Sequence, residues 1–295
     1  MARRTKGLDA AASVLFALSL VGLTGCGEIP WNPDLWGLDR LDPFATNGRD
    51  GGGIPLNYDT LMRVGAASRA GGDFPNALSL YRRAASIEGG LPAPFIAMGN
   101  TLLDMGSVDE AIVAFNSALE RQPREPEALR GLARAYLRTG RPELAGQPLG
   151  VAFEDTPNDP KLLQLIGVAD DYLDQHGEAQ ARYRRALELA PADPGLTVNL
   201  ALSLALTGDY DQAIARLQPI ATAPSGTPRE RQTLALIYGL KGDRRAAERL
   251  GRLDLEPGVV QHNLAYYDNL RRLSPEARSR AIRALGTNPG AARPS

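Results

Sequence analysis

From Tyr58 onward, small and apolar residues return every 34 positions. Alanine stands at Ala77, Ala111, Ala145, Ala179, Ala213 and Ala247, six sites in strict register. Twelve residues before each lies another small residue: Gly65, Gly99, Ala133, Gly167, Ala201 and Ala235. Between the two falls a glycine, Gly72, Gly106, Gly140, Gly208 or Gly242, and the series is broken only by Asp174. Bulky Tyr81, Phe115 and Tyr183 follow the alanine by four residues, with Leu149 and Leu217 in two repeats and Gly251 in the last. A period of this length is that of a helix–turn–helix array. Small residues at repeat positions 8 and 20 let two helices approach closely, and glycine at position 15 supplies the turn between them. Pro123, Pro157 and Pro191 then stop the second helix. The expected fold is all-α, with about six such units over residues 58–255.

These features resemble the tetratricopeptide repeat, most clearly over residues 92–123 and 160–191. The resemblance implies a superhelical solenoid whose concave groove is lined by the first helix of every pair, because each unit leaves an apolar face that only its neighbour buries. At the family's inward positions the third repeat carries Arg130, Arg134 and Arg138. The row suits acidic side chains or a carboxylate, unless it is a solvated face offset by Glu125 and Glu127. The carboxylate clamp of chaperone-binding arrays is incomplete: Asn100 and Lys161 occupy two of its positions, and Ile96 and Leu165 replace basic residues. Later repeats place Val168, Tyr172, Val198, Leu202, Leu206, Leu236 and Leu240 inward. Such an apolar groove is filled by the chain's own ends or receives an amphipathic helix of a partner.

After residue 255 the register ends. Residues 256–285 read as two capping helices, and the Gly/Pro/Ala/Ser-rich stretch 286–295 as a disordered tail.

The N-terminus reads differently. Arg3, Arg4 and Lys6 precede an apolar stretch, residues 10–21, too short to span a bilayer, and then Leu23-Thr24-Gly25-Cys26. This order resembles a bacterial lipoprotein signal over residues 1–25, with Cys26 the residue that is lipidated. Several acyl chains on one cysteine hold a protein stably on a membrane. Gly27, where aspartate would favour inner-membrane retention in that class, implies the outer membrane, facing the periplasm. Residues 26–57 form a lipidated tether rich in Pro, Gly, Asn and Asp, yet they hold Trp31, Leu35, Trp36, Leu38, Leu41 and Phe44, more apolar residues than a spacer needs.

Composition narrows the function. The 33 basic and 34 acidic residues give a net charge of -1, and loss of the leader with Arg3, Arg4, Lys6 and Asp9 makes it -3, so no basic field attracts nucleic acid. One cysteine and two histidines, His176 and His262, exclude a disulfide framework and disfavour a zinc site. Neither histidine lies in a catalytic motif, and Asp170 and Asp171, adjacent on one helix, point about 100° apart. No enzymatic activity and no cofactor are expected.

One further likeness concerns the C-terminal part. Asp254-Leu255-Glu256-Pro257 leading into Asn263-Leu264-Ala265-Tyr266-Tyr267, preceded by residues 234–243 and Ala246-Ala247-Glu248-Arg249, is similar to the tetratricopeptide-repeat lipoproteins of the tight-adherence, or Flp, pilus assembly system. That similarity implies an outer-membrane, pilotin-like scaffold assisting assembly of the pilus secretin. A periplasmic adaptor for peptidoglycan hydrolases, or a pilotin of another type IV pilus or secretion system, would share the lipobox and the repeats.

Overall fold

The computed structural model describes residues 57–287, with side chains described through Ile282. The signal segment, Cys26, the Trp31/Trp36 stretch and the end of the tail, residues 288–295, lie outside the described residues.

Within that range the chain is all helix. Six hairpins follow one another: α1 (Tyr58–Ala70) with α2 (Phe74–Ile87), α3 (Ala93–Met105) with α4 (Val108–Arg121), α5 (Pro126–Arg138) with α6 (Pro142–Asp155), α7 (Pro160–Tyr172) with α8 (His176–Leu189), α9 (Pro194–Leu206) with α10 (Tyr210–Ala221), and α11 (Pro228–Lys241) with α12 (Arg244–Gly251). Two more helices close the order, α13 (Pro257–Arg271) and α14 (Pro275–Thr287). This bears out the all-α, six-unit expectation. Pro123, Pro157 and Pro191 each lie two residues beyond a second helix. Asp159 and Asp193 cap α7 and α9 by accepting from the backbone N–H of Lys161 and Gly195, and Pro160 and Pro194 open those helices where no N–H is required. Pro148 and Pro219 are carried inside α6 and α10, which the repeat pattern did not signal. Among the described residues no helix is long and apolar enough to cross a membrane.

The alanine register marks the contact within each hairpin. Ala77, Ala111, Ala145, Ala179 and Ala213 are wholly buried, and Ala247 nearly so. Across that contact the sizes of two positions are matched. Where position 24 of the repeat is aromatic, position 8 is glycine: a Cβ on Gly65 would fall 2.6 Å from the Tyr81 ring, on Gly99 2.7 Å from Phe115, and on Gly167 2.6 Å from Tyr183. Where position 24 is Leu149, Leu217 or Gly251, position 8 is Ala133, Ala201 or Ala235. Phe115 also presses on the next unit, since a Cβ on Gly131 would lie 2.3 Å from it. The second helix of one unit thereby wedges against the first helix of the next.

Each first helix touches the first helix of the following unit, α1 to α3 and on to α11, so the first helices share the inner face of the solenoid. The turn glycines Gly72, Gly106, Gly140, Gly208 and Gly242 all have left-handed φ, from 67° to 97°, and Asp174 takes the same conformation at φ 60°.

α13 serves as the next inner helix, packing on α11 and α12. The stretch that resembles the pilus lipoproteins is structural here. Tyr267, 3% exposed, lies against Gly239, Val260 fills the space beside Gly251, and Asn263 and Leu264 are buried. Asp254 pairs with Arg231 and accepts from Gln232 Nε2 at 3.1 Å, tying the approach to α13 onto α11. Arg231 holds the Asp254 carboxyl below the usual carboxylate range.

The size match makes a quantitative prediction. Gly99→Ala should destabilise the array by roughly 1–3 kcal/mol through overpacking against Phe115. Adding Phe115→Leu recreates the Ala133/Leu149 combination, so the double variant should cost less than the sum of the two single changes, by about 1 kcal/mol of coupling in urea or thermal unfolding. Additive losses would show that the two positions do not meet.

Candidate functional site

The inner face is polar and cationic at its N-terminal end. Arg69 comes from α1, Asn100 and Asp104 from α3, and Arg130, Arg134 and Arg138 from α5, one helical turn apart on one face. Every arginine of the stripe is anchored across units. Arg130 pairs with Asp159 at the start of α7. Arg134 donates to Asn100 Oδ1 at 2.6 Å, and Arg138 to the carbonyl of Leu103 at 2.5 Å. Beside them Arg69 pairs with Asp104 at 2.7 Å. The offset expected from Glu125 and Glu127 is not how the stripe is balanced: Glu125 caps α5 by accepting from the Glu127 N–H, and the balancing carboxylates are Asp104 and Asp159.

Four guanidinium groups therefore face two carboxylates. Burial is the first cause lowering the pKa of Arg134, and the neighbouring cations Arg69, Arg130 and Arg138 add to it against Asp104. Burial likewise lowers that of Arg138. The Arg134 Nε is buried without a hydrogen-bond partner. A guanidinium held by one anchor, largely desolvated and crowded by like charges, gains from an incoming carboxylate.

The apolar end follows one of its two expected outcomes. Leu236, Val198, Leu240 and Leu206 are 0%, 2%, 3% and 6% exposed, while Val168, Tyr172 and Leu202 are half-buried against the cores around them. They do not form an open groove. The physical reason lies in the C-terminal helices: α13 packs on α11, α14 reaches α9, and Val260, Leu264, Tyr267, Leu270 and Ile282 share one core with Val198, Leu206, Leu236 and Leu240, while Tyr172 packs in the neighbouring cluster of the third and fourth units. Of the two alternatives for this surface, filling by the chain's own end is the one observed.

α14 does not return along α13 as a hairpin partner would. It reaches α9 and docks on the turn between α7 and α8. There Ser279, 1% exposed, donates to Asp174 Oδ1 at 3.0 Å and lies 3.4 Å from His176 Nε2. His176 Nδ1 lies 2.7 Å from Asp171, which also accepts from Ser203 Oγ at 2.7 Å and from the Tyr183 hydroxyl at 3.0 Å. Arg278 donates to the Tyr210 hydroxyl at 2.6 Å. The order Ser279, His176, Asp171 is that of a nucleophile relay. The buried Ser279 hydroxyl, committed to Asp174, offers no approach to a substrate carbonyl, and the cluster acts as a clasp for a helix. Asp170 takes no part in this cluster, and its Oδ2 is buried without a hydrogen-bond partner. Its pKa is pushed up to about 6, first by burial and then by Asp171 and Glu178, with Arg182 opposing.

Two family models described as tetratricopeptide repeat match residues 96–160 and 173–235. The Cellulose synthase 1 operon protein C of Komagataeibacter xylinus is 29% identical over 160 residues, covering 52% of this chain but only 12% of that protein. Among solved structures, PilF of Pseudomonas aeruginosa superposes with a TM-score of 0.59 at 19% identity, covering 71% of this chain and 97% of PilF. PilW, a type IV pilus biogenesis factor, superposes with a TM-score of 0.61 at 17% identity, covering 68% and 93%. At these identities the likeness is one of fold. The fold of the array is that of a tetratricopeptide-repeat solenoid.

Two changes in the fourth repeat should separate its roles. A folded-state pKa raised above the ordinary value of about 4 means that the Asp170 contribution to stability is fully present below pH ~4 and is lost as pH rises through 6. Asp170→Asn should therefore raise the melting temperature at pH 7.5 by roughly 2–4 °C, about 1 kcal/mol after discounting for partial exposure, and give no gain at pH 4. Asp174→Gly should relieve about 1 kcal/mol of left-handed strain while removing the acceptor for Ser279. Hydrogen exchange is expected to quicken in α14 and not in α7 or α8.

Proposed function

We propose that this chain is a pilotin-like lipoprotein of the Flp/Tad pilus assembly system, of the kind called TadD. In this reading it is anchored through Cys26 in the outer membrane, faces the periplasm and grips an acidic segment of the pilus secretin on the arginine-lined inner face. The observation that carries the reading is the combination of a lipobox with an array that spans nearly the whole of PilF and PilW.

In this reading the two ends of the chain divide the labour. Acyl chains fix the protein to the membrane at one end, each buried methylene contributing about 0.8 kcal/mol. The repeats then present Arg69, Arg130, Arg134 and Arg138 on a preformed surface, so little ordering entropy is lost when a carboxylate-bearing segment binds. With its apolar half closed, recognition falls to charge, which aids capture of the partner at distance and weakens with salt.

Cys26→Ser should release the protein from outer-membrane fractions, and intact mass should show an acylated Cys26 as the first residue of the mature wild type. Arg134→Glu should reduce co-purification of the secretin by at least about tenfold at low salt, the size of a lost charge-assisted contact, with a smaller difference at high salt. An unacylated Cys26 carrying its leader would overturn the anchor. Secretin capture indifferent to Arg134 and to salt would remove the inner face from the mechanism.

A further inference from the structure

On the outer side of the first two units, α2, α3 and α4 enclose a cleft of about 420 Å³. Phe95, Met98, Val113, Ala114 and Ala85 form its apolar lining, with Ser86 and Ser117 among them and Arg82 and Arg121 at its border. The Arg121 guanidinium stacks on Phe95, 3.7 Å from the ring centre, and donates to the Ser117 carbonyl at 2.6 Å, so this cation is held in place as a wall. Val113 remains 38% exposed beside Met98 and Ala114, which are core residues. The volume falls within the range that receives one or two bulky side chains. Nothing in the concave-face reading uses this site.

We infer that the cleft is the docking site for residues 31–44 of the same chain, whose alternating aromatic, leucine and aspartate side chains match an apolar floor between two arginines. Three observations converge on that occupant. The first is chemistry: the stretch contains Trp31, Leu35, Trp36, Leu38, Leu41 and Phe44, interleaved with Asp34, Asp39 and Asp42 against one basic residue, Arg40. The second is position. The array begins at Asn57, and Tyr58 packs against the core of Leu80 and Ala84 of α2, where burial first, and then the carboxylates of Glu88 and Asp59, raise its pKa. Arg82, Ala85 and Ser86 on the adjoining face of α2 form a wall of the cleft, so the chain enters the array about one helix width, ~10 Å, from it. The third is reach: twelve residues separate Phe44 from Asn57 and extend to at most ~40 Å, well beyond that separation. Docking would bury indole surface that otherwise stands in water and would place aspartates beside Arg82 and Arg121. It would also shorten the tether and turn the outer face of the first units toward the N-terminal anchor.

Trp31 and Trp36 are the only tryptophans in the chain, so intrinsic fluorescence reports on this segment alone. In the full-length protein the emission should be blue-shifted and protected from acrylamide. Val113→Asp and, separately, Arg121→Glu should shift it to the red and raise the quenching constant several-fold, with far-UV circular dichroism unchanged. Ala85→Glu places a carboxylate on the α2 wall of the cleft, on a different helix from Phe95 and Arg121, and should act alike if Arg121→Glu fails to fold. Changing Asp34, Asp39 and Asp42 together to Lys in the Arg121→Glu protein should restore part of the blue shift. Wild-type indoles quenched like free tryptophan would overturn the inference, as would cleft variants that leave the emission unmoved. So would a blue shift that appears only with phosphatidylglycerol vesicles, which would assign the segment to the membrane surface, or only with added secretin, which would assign it to the partner.

Discussion

Everything in this molecule depends on how closely two helices of a hairpin approach, and that distance is set by a pair of side chains whose sizes trade against each other. Gly65, Gly99 and Gly167 leave room for Tyr81, Phe115 and Tyr183; Ala133 and Ala201 leave room for Leu149 and Leu217. Since the interior is packed near the density of a crystal, one methyl too many is a clash and one too few is a void. The trade keeps the hairpins alike despite different residues. Alike hairpins stack with their first helices together, and only then do arginines of α5 meet an asparagine of α3 and an aspartate at the start of α7. The inner face is a consequence of the packing rule rather than a separate design.

The places where the repeat is broken are those where the ends of the chain are handled. Asp174 stands where five other units have glycine, in a left-handed conformation that costs a residue with a Cβ, and its carboxylate holds Ser279 of α14. Gly251 stands where other units have an aromatic or leucine, and Val260 of α13 moves into the space. Gly239 admits Tyr267 against the last inner helix. An array with identical terminal units would expose an apolar face; these exceptions let α13 and α14 seal it.

How much of this was legible in the sequence depends on how many units a feature spans. The alanine and glycine registers concern contacts within one hairpin, and they foretold both the period and the turns. The face carrying Arg130, Arg134 and Arg138 was legible from helical spacing, but the partners were not. Asn100 lies 34 residues from Arg134 and Asp159 lies 29 from Arg130, whereas Glu125 and Glu127, nearer in sequence, are not the balancing charges. The apolar positions of the later units pointed inward as read. What covered them was illegible, because Ser279 is 105 residues from Asp174 and short polar side chains of that kind leave no periodic trace. His176 looked like an isolated residue for the same reason: Asp171, Asp174 and Ser279 surround it only in three dimensions.

The two ends of the solenoid are consequently unlike. At the C-terminal end apolar surface is withdrawn into a continuous core running from Leu163 to Ile282, and α14 is clasped over the turn of the fourth unit. At the N-terminal end the inner face keeps four arginines against two aspartates, and the outer side keeps a cleft bordered by two more arginines. The chain as a whole is close to neutral, so this concentration of positive charge is local, with an excess of acid elsewhere. Local fields of this kind orient a partner before contact, and they do so most strongly when the ligand is an acidic segment and the ionic strength is low. Sealing one end and charging the other gives a symmetric repeat a direction.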